Sequence, residues 1–239
     1  MNILMLGSGP GALLASNWPR APFDAVIAIN NAWRIRPDWD ALIYPYDFPL
    51  ERMPPEITGA LIDETDFVPA QNAYGGFLYA GATMAFTATY WALHALKPSV
   101  IAYLGCDMVY PKDGPTHFYG KGSPDPLRDD VSLRNLEAKS ARAQVHAHRQ
   151  GCSLLNLSTD ESRLTFPRAT RLDLSAKPRI DMDAARGAAA LEAKLDYKTP
   201  TGFHDHITPD LGQLDILDGL WIRAGGCELA KPRASVPTG

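Results

Sequence analysis

Asn2-Ile3-Leu4-Met5-Leu6-Gly7-Ser8-Gly9-Pro10-Gly11-Ala12-Leu13-Leu14 opens the chain. Its apolar run, Ile3 to Leu6, has the length of a buried strand rather than a helix. Three glycines and a proline end that run at once, and glycine tolerates both positive φ and a close approach to the backbone. Ala12 to Ala15 then begins a helix whose first N–H groups have no partner within it and point back at the loop. Such a helix start attracts phosphate. Strand, phosphate loop and helix in this order lead us to expect an α/β, Rossmann-like fold with a mostly parallel sheet and helices on both faces. Gly7, Gly9 and Ala12 fit the dinucleotide pattern G-x-G-x-x-A, and no Gly-Lys-Ser/Thr follows to make a P-loop. The same letters also describe a tight β–α turn that binds nothing.

The totals narrow the classes. At 239 residues the chain suits one large α/β domain, or one domain with an appendage. A net charge of −4 offers no broad basic footprint for nucleic acid. No apolar stretch approaches the length of a transmembrane helix. The opening residues lack the basic and small-residue flanks of a signal peptide. Cys106, Cys152 and Cys227 are widely spaced and odd in number, which suits reduced thiols and a cytoplasmic setting.

Further strands are expected over residues 23–29, 41–44, 60–63, 99–104 and 152–158, with residues 64–76 reading as loop. Helices are expected over residues 81–96, apolar nearly all round and so buried, and over residues 132–150, with Ser132 as cap. The second strand ends at Asn30-Asn31, where a dinucleotide-binding unit of the NAD type carries an acidic residue for the ribose. An amide there suits another nucleotide, or simply turns the chain. Asp107 follows the apolar strand over residues 99–104, at the end where ligands of open parallel sheets sit; it also suits a turn cap. Residues 110–130 form a long polar loop containing Tyr110, His117, Tyr119 and Lys121, and its aromatics favour a segment that covers substrate over a disordered one. Ser158-Thr159 at the end of the last strand is placed to meet a ligand's hydroxyls. From about residue 167 the character changes. An alanine-rich helix over residues 183–195, an apolar segment over residues 214–222 and a Pro-, Ser- and Gly-rich end form a helical and irregular extension. We divide the chain at 1–168 and 169–239, with the second part packing on the first or on a partner subunit. His204 and His206 would share one face of a strand, but no third metal ligand is adjacent, so no metal site is expected.

These pieces resemble the bacterial sialyltransferases of glycosyltransferase family 42, and the related Rossmann-like domains of motility accessory factors and MptE-like pterin pyrophosphokinases. The resemblance spans residues 1 to about 168. Gly7-Ser8-Gly9-Pro10 is similar to the sialyltransferases' Gly-Asn-Gly-Pro-Ser. Phe23-Asp24 and a strand ending at Asn30 match their second strand, whose terminal asparagine contacts the CMP donor. Ala80-Gly81 is similar to their Ser-Gly at a helix start. Leu104-Gly105-Cys106-Asp107, then Tyr110, resembles their Ser-Gly-Ile-Asp-Phe-Tyr, and Gly151 to Leu157 with Ser158-Thr159 resembles their late strand and its ligand-contacting end.

The resemblance implies a nucleotide-sugar donor of CMP type, a glycan or small hydroxyl acceptor, no required cofactor, and possible homo-oligomers. It implies donor contacts at Gly7, Ser8, Gly9, Pro10, Asn30, Asn31, Gly81, Asp107, Tyr110, Ser158 and Thr159. It implies a loop histidine as general base. Two positions depart from the pattern. Ser8 replaces the asparagine, and an ungapped match puts Lys121 at the base position with His117 four residues earlier. A lysine is a cation at neutral pH unless buried, so either His117 takes the base role, with Tyr119 and Lys121 supporting the leaving phosphate, or the chemistry differs. Two other readings share the fold. One is a Mg²⁺-dependent, pyrophosphokinase-like phosphotransferase using Asp107, Asp129 or Asp130; the other is a non-catalytic nucleotide-binding or glycan-assembly module.

Overall fold

The opening strand, β1 (Asn2–Leu6), lies inside a six-stranded sheet. The structure is a computed structural model and describes residues 1–122, 129–198 and 207–226. The other strands are β2 (Ala25–Ile29), β3 (Ala41–Ile43), β4 (Ala60–Ile62), β5 (Val100–Leu104) and β6 (Ser153–Asn156). All pair in parallel, in the order β4-β3-β2-β1-β5-β6. The fold is therefore α/β and Rossmann-like, with a less regular C-terminal extension.

The chain builds outward from β1 as far as β4. It then returns through α1 (Glu64–Ala73), α2 (Phe77–Ala80) and α3 (Met84–Ala95) to lay β5 on the other side of β1. Helix α4 (Leu136–Arg149) leads on to β6. Strand order thus reverses between β1 and β5, and a crevice opens outside their carboxyl ends. Leu6 is level with both Ala28 and Leu104, so the loops after β1, β2 and β5 start at one height.

Burial on both faces explains why β1, β2 and β5 read as continuous apolar runs. Ile3, Met5, Ile27, Ile101 and Tyr103 pack beneath α1, α3 and α4. Leu4, Leu6, Val26, Ala28 and Leu104 face the opposite layer, built on Ala12, Ala15, Ala32 and Ile35. That layer is made of two 3-10 helices, Pro10–Asn17 and Asn30–Ile35, rather than α-helices. Trp18-Pro19 and Arg36-Pro37 leave each of them too little chain for a regular helix.

Three expectations are corrected. Residues 64–76 are mostly helical, because Asp63 and Asp66 cap α1 reciprocally: the Asp63 carboxylate accepts the Thr65 N–H at 2.9 Å and the Asp66 carboxylate accepts the Asp63 N–H at 3.4 Å. Pro69 inside the helix hid it. The buried helix starts at Met84, not Gly81, with the Thr83 hydroxyl accepting the Phe86 N–H; Gly81 ends α2 at φ +90°. Helix α4 is capped by Asn135, while Ser132 lies in a 3-10 turn that the Asp130 carboxylate caps at 2.8 Å. The readings at His204, His206, Cys227 and residues 231–239 lie outside the described residues.

Helices α5 (Met182–Leu195) and α6 (Leu211–Ala224) pack on α4, where Ala184, Ala188, Leu214, Leu217 and Trp221 meet Tyr79, Ala138 and Val145. They also meet the charges of α4. Lys139 is buried and its ammonium donates to the Leu78 carbonyl at 3.0 Å. Burial pushes the Asp218 carboxyl up to about 6, against the pull of Lys139. A carboxyl whose folded value lies above its unfolded 3.8 holds its proton more tightly when folded. Its contribution is present below pH 3.8 and is lost as pH rises through about 6. Asp218→Asn should therefore remove that part of the decline in melting temperature between these two pH values. Calorimetric scans across that range check it, and an unchanged slope would count against the assignment.

Candidate functional site

A cavity of about 880 Å³ occupies the crevice at the carboxyl ends of β1, β2, β3 and β5. Its floor is Gly7 to Gly11 and Gly105 to Met108, one wall is Asn30, Asn31 and the loop after β3, and the other is Tyr110 and Thr116 to Gly122. This volume suits a ligand of nucleotide size.

The glycines of the floor are required by packing. A Cβ on Gly7 would lie 2.3 Å from the Gly105 carbonyl oxygen, and one on Gly105 would lie 2.5 Å from the Ala12 Cβ. Gly105 also adopts φ +73°. The loops after β1 and β5 thus touch backbone to backbone, which only glycine permits. That contact has a cost for anion binding. The Gly7 N–H donates to the Leu104 carbonyl at 2.9 Å and the Gly9 N–H to the Gly105 carbonyl at 2.8 Å, so neither is a free donor. The Asp160 carboxylate approaches Gly11, where an added Cβ would stand 3.4 Å from it. The first turn of the Pro10–Asn17 helix therefore already faces a negative group of the chain itself. Thr83, Met84 and Ala85 bring a second helix start, that of α3, to the same cavity.

Three acceptor atoms of the lining are buried without a hydrogen-bond partner: Asn30 Oδ1, Asn31 Oδ1 and Asp107 Oδ1. Asn31 as a whole is only 3% exposed. Leaving such an atom unpaired costs about 1–3 kcal/mol; the three atoms are covered by the protein, and their side chains, all part of the lining, would have to turn to meet a ligand's donors. Asn30 also holds a left-handed backbone at φ 51°, which turns the chain where β2 ends.

The polar loop returns across this floor. The Phe118 N–H donates to the Ser8 carbonyl at 2.9 Å, and the His117 and Gly120 backbones pair with each other at 3.0 Å in both directions. The His117 ring stacks on Tyr119 with centroids 4.9 Å apart and lies 6.2 Å from Tyr110. Its Nδ1 is 2.8 Å from the Thr116 hydroxyl, which also accepts the Gly122 N–H at 3.0 Å. Burial holds the imidazole below the ordinary histidine value of 6.5, so the neutral ring prevails at pH 7.

The cavity lining thus includes Gly7, Ser8, Gly9, Pro10, Asn30, Asn31, Asp107, Tyr110, His117, Tyr119 and Lys121. Gly81, Ser158 and Thr159 stand outside it. The Ser158 hydroxyl accepts the Asp160 N–H at 3.1 Å, which shapes the turn that delivers Asp160 and Glu161 instead. Asp129 and Asp130 are not in the lining with Asp107 either. Among the described residues no group of three or more His, Cys, Asp or Glu is placed to hold a metal ion, and no helix is long and apolar enough to cross a membrane. Sequence reading passed over Arg34, Arg52, Asp47, Thr83, Asp160 and Glu161 as site residues. Only Arg34, four residues past the Asn30 turn, carried a local signal.

No protein-family model matches this chain, and no curated protein or solved structure does either. The site therefore stands on its own geometry.

Proposed function

We propose that this protein is a glycosyltransferase-like enzyme that binds a nucleotide-sugar donor of CMP type in the crevice beside β1 and β5. The observation that carries this reading is the cavity of about 880 Å³ where the strand order reverses, lined by Asn30, Asn31 and Asp107, whose covered Oδ1 atoms lack a partner and would turn toward the ligand. A phosphate ion offers mainly acceptors and would leave them unsatisfied. A ribose offers two hydroxyl donors and cytosine an exocyclic amine, so a cytidine nucleotide carries a donor for each once these side chains turn into the cavity. Ser8 and the start of α3 hold the phosphate, because the start of the Pro10–Asn17 helix already faces Asp160.

His117 is the general base toward the acceptor hydroxyl. The Thr116 oxygen receives the Gly122 N–H, and its own hydrogen can turn to the Gly122 carbonyl at 3.4 Å. In that arrangement Nδ1–H donates to Thr116, and Nε2 keeps its lone pair for a proton. Lys121 and Tyr119, on the same loop, face the departing phosphate. The base takes the acceptor proton as the acceptor oxygen bonds to the sugar carbon, and the bond to CMP breaks with its electrons leaving on phosphate.

Calorimetric titration with CMP tests the reading. Binding at micromolar to millimolar concentration is expected, weakened about tenfold or more by Asp107→Ala. No heat from CMP, CDP or other nucleotides at millimolar concentration would end it.

A further inference from the structure

The cavity has a cationic wall that the donor reading does not use. Arg34 and Arg52 both line it, on the side of the 3-10 helix after β2 and the loop after β3, and both are exposed. They hang from one indole. The Arg34 guanidinium lies over the Trp33 ring, 5.2 Å from its centroid, and the Trp33 Nε1–H donates to the Arg52 carbonyl at 3.0 Å. Stacking occupies the face of a guanidinium and leaves its N–H edge free to grip an oxyanion with two parallel bonds. Arg20, Arg36, Arg142 and Arg163 each meet a carboxylate of the chain. Among the described residues Arg34 and Arg52 meet none, although the cavity also holds Asp47, Asp107, Asp160 and Glu161.

We infer that Arg34 and Arg52 form a subsite for a carboxylate or phosphate on the acceptor, so that the acceptor is an acidic sugar or a sugar phosphate. This rests on the proposed donor site, and it assigns the exposed part of the wall that Asn30 and Asn31 begin. The unpartnered acceptors of Asn30, Asn31 and Asp107 are buried, and the arginines stand exposed at the mouth. The molecule that meets the mouth is the one that enters over a bound donor. The chain carries a net charge of −4, so an acidic acceptor gains its local attraction from these two cations.

Glucuronate, glucose 6-phosphate and glucose titrated into the protein, with and without saturating CMP, test the inference. The two acids should bind about tenfold tighter than glucose, as expected for a charge-assisted pair. The Arg34→Ala/Arg52→Ala variant should lose that preference and keep its CMP affinity. Equal binding of all three sugars, or a preference that survives the variant, would overturn it. A fall in CMP affinity in the variant would also overturn it, by assigning the arginines to the donor phosphate. Failure of CMP to bind the unaltered protein strikes the donor reading alone, because the titrations without CMP still judge the arginines.

Discussion

His117→Ala is expected to slow CMP release from a CMP-sugar by about 10²–10⁴-fold, the span typical of a lost general base. CMP affinity should change little, because in the proposed pose the nucleotide's donors meet Asn30, Asn31 and Asp107 rather than the loop. The ring is held in place. Tyr119 stacks on it, Thr116 fixes Nδ1, and the Phe118 N–H ties the loop to the Ser8 carbonyl above the floor. Burial keeps the imidazole neutral, and the neutral form is the one that accepts a proton. Activity should therefore fall on the acid side with a midpoint below 6.5, as protonation removes the base. Initial rates across pH measure both effects. Turnover within about twofold of the unaltered protein, a barrier change under about 0.5 kcal/mol, would contradict the assignment. If His117→Ala/Lys121→Ala also left every activity intact, the non-catalytic module would gain.

The second large effect lies away from the cavity, where the C-terminal extension meets α4. Glu192→Ala is expected to destabilise the protein by about 3–5 kcal/mol, because it strands a buried cation. Arg142 is 1% exposed. Its Nε and Nη2 donate to the two oxygens of Glu192 at 2.7 and 2.9 Å, and its Nη1 donates to the Tyr90 hydroxyl at 2.8 Å. The Trp221 Nε1–H, from α6, donates to the same carboxylate at 2.7 Å. Burial works against the guanidinium's charge, and the Glu192 carboxylate with the Tyr90 hydroxyl outweighs it and raises the Arg142 pKa. The variant removes the only acidic partner among these contacts and leaves the Trp221 donor unpaired. Denaturant unfolding should show the loss, and the melting temperature should drop on the order of 10 °C. Replacing Arg142 and Glu192 together by apolar residues of similar volume should recover most of it. A loss under about 1 kcal/mol in the single variant, the worth of an exposed pair, would show that the network is not the clamp described.

The strands and the crevice were legible because their causes are local. An apolar run closed by Gly7-Ser8-Gly9-Pro10 reads as a buried strand and its turn, and the same logic found β2, β5 and the position of Asp107. Helix α1 was illegible because Pro69 and its polar surface masked a capping box at Asp63 and Asp66. The 3-10 character of Pro10–Asn17 and Asn30–Ile35 was equally hidden, since a propensity distinguishes helix from strand better than one helix from another. The role of the glycines was legible only in part. Their need for small size shows in the sequence, but the use of the Gly9 N–H by the Gly105 carbonyl depends on a loop roughly a hundred residues away. Arg52 and Asp160 enter the cavity through tertiary placement alone. His117 was singled out by its long polar loop with aromatics and by the loop histidine the resemblance implies, whereas its tie to Thr116 depends on how that loop folds back.

Crystals soaked in CMP address the central claim most directly, that the cavity beside β1 and β5 is a cytidine-nucleotide site read by side-chain acceptors. The expected result is a nucleotide whose ribose hydroxyls and cytosine amine donate to Asn30 Oδ1, Asn31 Oδ1 and Asp107 Oδ1, with His117 at the open side of the phosphate. A cavity without nucleotide at millimolar CMP, or a nucleotide bound elsewhere with those three atoms still unpaired, would contradict it.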